Sequence, residues 1–451
     1  MVREGATFEC TACGQRSQKW LGRCPSCGGW NTLEELPVEL RSETRRRAEV
    51  PAPVPLSAAE LRDAPRILTG IAGFDRVLGG GLVPGSVVLL AGEPGVGKST
   101  LLLQVAARRP DLGPVLYVSA EESARQVALR AQRLGCTCDH VLLLPEPAVE
   151  LVVAAARRLR PALVIVDSVQ TMFSERVPAV PGSVSQVREV ATNLLDLAKR
   201  DGPPVVLVGH ITKEGLVAGP KALEHLVDAV LEFSGGSGHP HRILRSTKNR
   251  FGPALELALF AMSDAGLEEI ASPSAVLLAD RRAGSPGSAV AVVIEGTTPL
   301  LVEVQALVSR SPLANPRRVA QGVDAGRLAL LLAVIEKRAG GRFADRDVFV
   351  NLVGGVNVEE PALDVAVAAA VISSGADRPF PADLAFFGEV GLLGEIRAVS
   401  RPLERLREAK ALGFARCAVP ASTQVAAETG VKLLPLADVR ELGQLLQALD
   451  S

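Results

Sequence analysis

The chain has 451 residues, 47% of them apolar, which is enough to bury two sizeable cores. No apolar run reaches the length of a membrane span, and Met1-Val2-Arg3-Glu4 leads into no signal-peptide core, so a soluble, cytoplasmic protein with no membrane partner is expected. A formal net charge of −1 excludes wholesale attraction to nucleic acid and leaves that task to local basic clusters.

The chain opens on two C-x-x-C knuckles, Cys10/Cys13 and Cys24/Cys27, each followed by glycine. In a chain without a secretory signal this pattern reads as a tetrahedral Zn²⁺ site in a module spanning 1–35. Four thiolates close the coordination shell, so the metal is expected to be structural, while Cys136, Cys138 and Cys417 read as ordinary residues. The module also carries Arg16, Lys19 and Arg23 and the only two tryptophans, Trp20 and Trp30. These suit a nucleic-acid or protein contact, and equally they suit caps on a module too small for its own core. Residues 36–64 mix charge with proline and read as a linker.

From residue 65 to 270, short apolar runs alternate with helical patterns, as in a parallel sheet covered on both faces. The run Val87-Val88-Leu89-Leu90 leads into Gly92-Glu93-Pro94-Gly95-Val96-Gly97-Lys98-Ser99-Thr100, a complete G-x-x-x-x-G-K-[ST] motif, and then into an apolar helix face. Backbone N–H groups of such a loop cradle the phosphates of ATP, Lys98 adds a point charge, and the Ser99 hydroxyl reaches Mg²⁺. Asp167 ends the run Leu163 to Val166, either as a carboxylate that reaches the Mg²⁺ shell or as an acidic residue that merely ends a strand. Glu121 and Glu122 follow the strand ending at Ser119; one of them orients the attacking water, or either only favours a helix N-terminus. His210 ends the run Val205 to Gly209 as a sensor of the γ-phosphate or as a structural residue.

Three further strands, Val230 to Phe233, Arg242 to Ser246 and Leu255 to Phe260, have hairpin spacing and extend the sheet. The segment that ends in Lys248-Asn249-Arg250-Phe251-Gly252 contains Arg242, Arg245, Lys248 and Arg250, with no acidic residue between Gly235 and Pro253. Three readings remain open for this run: a solvated basic face, cations inserted into a neighbouring subunit's active site, or contacts to nucleic-acid phosphate. Beyond residue 271 the texture changes to paired strands (Ala289 to Ile294, Leu300 to Val304), helices (Leu328 to Lys337, Leu363 to Ser373) and a short buried strand at Ala385 to Gly388. A separate α/β domain, 271–451, is expected.

Taken together, the Cys₄ module, the segment Leu78-Gly79-Gly80-Gly81-Leu82-Val83-Pro84-Gly85-Ser86 before the P-loop, and the run Lys248-Asn249-Arg250-Phe251-Gly252 resemble the bacterial RadA/Sms DNA repair proteins over essentially the whole chain. The resemblance implies an α/β fold with a RecA-like P-loop ATPase core. It implies a hexameric, DNA-stimulated ATPase that moves along single strands and promotes branch migration beside a RecA-type recombinase, with single-stranded and branched DNA as partners. By position it makes Asp167 the Walker B acid and Glu121 the water-orienting residue. It also assigns Lys248 and Arg250 to coupling DNA with the intersubunit ATP site, and the segments Met172 to Ser185 and Lys213 to Lys221 to mobile DNA-facing loops. The last domain is similar to the proteolytic domain of Lon, which uses a Ser–Lys dyad. Here Glu360-Pro361-Ala362-Leu363-Asp364 puts Ala362 at the nucleophile position, and the dyad lysine falls near Leu403. Neither side chain can do that chemistry, so a scaffold for ring assembly and DNA contact is expected in place of a protease.

Overall fold

The computed structural model describes residues 8–11, 15–17, 19–35, 65–210, 220–235, 241–424 and 429–448, in two compact units divided after residue 62. Cys13, Lys213 and the expected linker lie outside the described residues. In the first unit β1 (Phe8–Cys10), β2 (Arg16–Ser17) and β3 (Leu33–Glu35) form a small antiparallel sheet in the order β2-β1-β3. So few residues cannot enclose an apolar core. Among the described residues the buried cluster consists of Cys10, Cys24 and Leu33, two of them expected metal ligands.

The second unit begins with α1 (Ala72–Val77) and then alternates β4 (Val87–Gly92), α2 (Lys98–Ala107), β5 (Val115–Ser119), α3 (Ala124–Arg133), β6 (Val141–Leu144), α4 (Val149–Leu159), β7 (Leu163–Asp167), α5 (Val184–Asp201) and β8 (Val205–His210). Next come β9 (Ala229–Ser234), β10 (His241–Asn249), β11 (Leu257–Ser263) and β12 (Gly266–Glu269). All nine strands form one sheet in the order β12-β11-β10-β9-β4-β8-β7-β5-β6. The six from β9 to β6 in that order are parallel, and the other three are antiparallel additions. Burial follows the period-2 alternation of a strand covered on both sides. Val88 and Leu90 face a core built with α1 and α2, whereas Val87, Leu89 and Ala91 face a second core with α4 and α5. Two serines set helix starts: Ser123 forms a capping box with Gln126, and Ser183 accepts from the Gln186 amide.

The rest of the chain folds as α6 (Pro273–Leu277), β13 (Ser288–Glu295), β14 (Thr298–Arg310), β15 (Arg318–Gln321), α7 (Ala325–Ala339), β16 (Arg346–Leu352), α8 (Asp364–Ala376), β17 (Leu384–Phe386), a hairpin of β18 (Glu389–Val390) and β19 (Ile396–Arg397), α9 (Pro402–Ala411), β20 (Arg416–Pro420), β21 (Lys432–Leu436) and α10 (Arg440–Ala448). Its mixed seven-stranded sheet runs β15-β16-β14-β13-β17-β20-β21. Helices α7, α8 and α10 pack on one face, and α9 packs on the other.

The alternation of β10 and β11 ties the two sheets together. Leu244, Ala258 and Phe260 point into the core shared with α1 and α2, while Ile243, Leu257 and Leu259 point the other way and join the core of the seven-stranded sheet. Arg245 follows on β10 and crosses the joint to Glu295 at 3.3 Å and to the Asn357 carbonyl at 2.8 Å. Buried Glu256 accepts from the Thr297 amide at 2.7 Å and from the Thr298 hydroxyl at 3.2 Å. Among the described residues no helix is long and apolar enough to cross a membrane.

Candidate functional site

Parallel strands in register bring their carboxyl ends to one edge, and the connections that leave there build the site. Gly92 pairs with His210, and Ser119 pairs with Asp167. Thus the P-loop, Glu121, Asp167 and His210, spread over more than a hundred residues of sequence, share one edge of the sheet.

The P-loop leaves β4 at Gly92, exposes Glu93, Pro94 and Gly95, buries Val96, and turns at Gly97 into α2, which begins at Lys98 and carries Ser99 and Thr100 in its first turn. Gly97 has φ +114, and a Cβ there would lie 2.9 Å from the Met262 methyl. A side chain at that position is therefore excluded twice, by backbone conformation and by contact with β11. Lys98 is 4% exposed, and its Nζ donates to the Gly92 and Glu93 carbonyls at 2.8 and 2.9 Å. Burial pushes its pKa down to about 8, against the opposing pull of Asp167 and Glu121.

Asp167 receives a hydrogen bond of 2.8 Å from the hydroxyl of Tyr117, the chain's single tyrosine, which is 1% exposed. Burial, together with the adjacent Asp167 carboxylate, holds the Tyr117 pKa well above its ordinary value, so the phenol stays a proton donor. Sequence reasoning missed this residue; its only signal was a lone polar atom in an apolar strand. Glu121 accepts from Ser168 Oγ at 3.3 Å, and its Oε2 lies 3.4 Å from His210 Nε2. Glu122 turns away into an ion pair with Arg130 on α3. The two carboxylates are therefore in different surroundings: Glu121 faces the P-loop edge, and Glu122 steadies a helix.

The basic run from Arg242 to Arg250 is not one solvated face, because each cation has its own destination. Arg242 Nε donates to the Val96 carbonyl of the P-loop at 3.2 Å, and Arg245 enters the joint with the second sheet. Lys248 and Arg250 sit where β10 pairs with the start of β9, at the edge opposite the P-loop of the same chain. Lys248 Nζ donates to the Glu224 and Val227 carbonyls, and burial with the nearby Arg250 lowers its pKa. Arg250 pairs with Asp228, a buried carboxylate that also accepts from Lys199 and from the Val87 amide. Asn249 accepts from the Phe251 amide, and the Phe251 carbonyl accepts from Arg66. A Cβ on Gly252 would meet Gly79 Cα at 2.9 Å, so the loop after α1 and the loop after β10 touch backbone to backbone. Lys221 lies within a short 3₁₀ turn (Pro220–Ala222) and lines a groove with Glu224, Glu232, Thr247 and Lys248. The segment after Met172 is anchored at its start: Met172 and Ser174 are buried, and Gln186 Nε2 donates to the Ser174, Val177 and Ala179 carbonyls.

In the first unit the sulfurs of Cys10, Cys24 and Cys27 all lie within 4.8 Å of one another, and Cys10 and Cys27 are 3.7 Å apart. A tetrahedral centre with Zn–S bonds of about 2.3 Å has sulfur–sulfur edges of about 3.8 Å, so this soft donor set fits Zn²⁺. In the last domain Ala362 is fully buried and offers no nucleophile. Leu403 supplies no amine, and two residues further on Arg405, also fully buried, pairs with both carboxylate oxygens of Glu360 and donates to the Val292 carbonyl at 2.8 Å. A guanidinium occupied in this way does not offer the neutral amine that the base of a dyad requires.

Three families match parts of the chain: one described as an AAA domain at residues 67–215, a rubredoxin metal-binding domain at 8–35, and the ChlI subunit of Mg-chelatase at 330–423. Curated proteins match nearly end to end. The DNA repair protein RadA of Bacillus subtilis is 45% identical over 98% of both chains, that of Pseudomonas aeruginosa 47% over 100% of both, and that of Escherichia coli 48% over 92% of both. Among solved structures the RadB recombinase aligns at 22% identity, covering 45% of this chain and 99% of its own, with a TM-score of 0.37.

Proposed function

The chain belongs to the RadA family of DNA repair proteins, and on that premise we propose that it is a DNA-dependent ATPase of the helicase type that drives branch migration of recombination intermediates beside a RecA-type recombinase. The observation that carries this reading is the convergence of the P-loop, Glu121, Asp167 and His210 on one sheet edge. In this reading the P-loop amides and Lys98 hold the phosphates of ATP, and Glu121 orients the attacking water and accepts its proton. Ser99 and Asp167 hold Mg²⁺, which supplies charge neutralisation between the phosphates when bound.

Lys248 and Arg250 act on a neighbour in a hexameric ring, since both lie at the edge away from their own P-loop. Together with Asn249, Phe251, Gly252 and Lys221 they form the surface for DNA and the adjacent subunit. The reading is tested by ATP hydrolysis with and without single-stranded DNA, and by displacement of a strand from forked and three-stranded substrates. Wild type hydrolyses ATP faster with DNA and displaces the strand. Lys98→Ala abolishes both activities, and Lys248→Ala loses displacement. Wild type that hydrolyses ATP but moves no strand would instead be an ATP-switched DNA-binding scaffold.

A further inference from the structure

The two tryptophans do not cap the core of the first unit. Trp20 is 55% exposed and Trp30 is 71% exposed, while Cys10, Cys24 and Leu33 fill the interior. Both indoles stand on neighbouring stretches of backbone. Arg23 bridges Trp30 in antiparallel fashion, and the Asn31 amide donates to the Gly22 carbonyl at 2.8 Å. The Trp20 ring lies across Gly22, where a Cβ would stand 3.8 Å from the ring.

Trp30 is held in place from one side. The Arg23 guanidinium sits 5.7 Å from its ring centroid and is fixed by a 3.1 Å hydrogen bond to the Gly28 carbonyl. Lys19 is exposed one residue before Trp20, and no acidic residue occurs from Cys10 to Leu33.

We infer that this face of the metal module binds single-stranded nucleic acid, with Trp20 and Trp30 each stacking on an unpaired base and Lys19 and Arg23 facing the phosphates. Planar aromatic surfaces flanked by cations, without acidic residues, are the combination that single-strand binders use. Protein-binding surfaces also favour Trp and Arg but are depleted of lysine, whereas here the exposed Lys19 adjoins Trp20. A duplex cannot satisfy these indoles, because its base faces are already stacked on one another. The inference rests on the DNA-binding reading above and adds to it a contact outside the ATPase core.

The test exploits the sequence: Trp20 and Trp30 are the only tryptophans in the chain, so intrinsic tryptophan fluorescence reports on this module alone. Full-length protein is titrated with an oligodeoxythymidine strand and with a duplex of equal length, and a labelled copy of each oligonucleotide reports binding by anisotropy. Saturable quenching by the single strand, well beyond that by the duplex, is expected. Trp20→Ala/Trp30→Ala that retains zinc should bind the strand at least about ten-fold more weakly, with an unchanged salt slope, because lost stacking removes no phosphate contact. Trp30→Phe, which keeps a ring, should recover part of the affinity.

Unchanged fluorescence while anisotropy shows the strand bound, or unchanged affinity in the double variant, would overturn the inference. So would indoles that respond to the recombinase but not to the strand. Lys98→Ala should keep the quenching, so failure of the motor reading and failure of this one are separable.

Discussion

Tyr117 illustrates how a single hydroxyl adjusts the sheet edge that carries the P-loop. It is buried, it stays protonated, and it gives Asp167 one fixed donor, so that one carboxylate oxygen is oriented while the other remains available. Tyr117→Phe should lower ATP turnover about ten-fold while changing nucleotide affinity less than about three-fold, as expected for loss of a buried charge-assisted hydrogen bond; steady-state hydrolysis and equilibrium nucleotide binding check both. Lys98 makes a second prediction. With its pKa lowered to about 8 in the nucleotide-free chain, the ammonium loses its proton as pH rises past 8, and phosphate binding must restore it. ATP affinity should therefore fall between pH 8 and 10, with proton uptake on binding. Calorimetry at pH 9 in buffers of different ionisation enthalpy measures that uptake, and Lys98→Ala should show none. The stability sign is opposite: a lysine with a lowered folded pKa makes folding more favourable as pH rises from about 8 towards its ordinary value, because the unfolded chain then holds the extra proton.

Strands β10 and β11 serve two cores at once, and the polar contacts at their joint carry the charge that apolar packing cannot. Glu295 is buried beside Arg245, with its pKa pushed up to about 7 chiefly by burial. A carboxylate raised in the folded state contributes stability that is present below its ordinary pKa and is lost as pH rises through about 7. Removing the guanidinium takes away the one effect holding that value down. Arg245→Ala should thus cost up to about 3–5 kcal/mol at pH 8, where Glu295 either stays charged without its partner or must take up a proton, and clearly less at pH 5.5, where it is neutral with the guanidinium present or absent; thermal melts at the two pH values decide it. None of this was visible in the basic run itself. Four cations in a short segment look like one surface, yet strand alternation and the bulge between Ser246 and Lys248 send Arg242 to the P-loop, Arg245 to the second sheet, Lys248 to the Glu224 and Val227 carbonyls and Arg250 to the Asp228 carboxylate.

Across the molecule, the chain is α/β, with a RecA-like P-loop core between a small zinc module and a Lon-protease-like domain. In that last domain the expected nucleophile position is the buried Ala362, and the nearby Arg405 is paired with Glu360. Ala362→Ser should still leave casein intact, because Arg405 is held on Glu360 and cannot serve as the base; cleavage above a buffer control would contradict this. The parts legible in the amino-acid order were those whose physics is local. The P-loop needs only a strand, glycines and a helix start within a few residues, the knuckles need only close cysteine spacing, and the apolar runs announce buried parallel strands. What needed the tertiary structure were pairings across long separations: Tyr117 with Asp167, Arg245 with Glu295, Glu360 with Arg405. Such partners are chosen by strand register and by which face of a sheet each residue occupies, and neither is encoded in spacing along the chain. The tryptophans show the same division. Their presence in a basic module could be read directly, but two opposite roles fitted it equally until folding left both rings facing solvent.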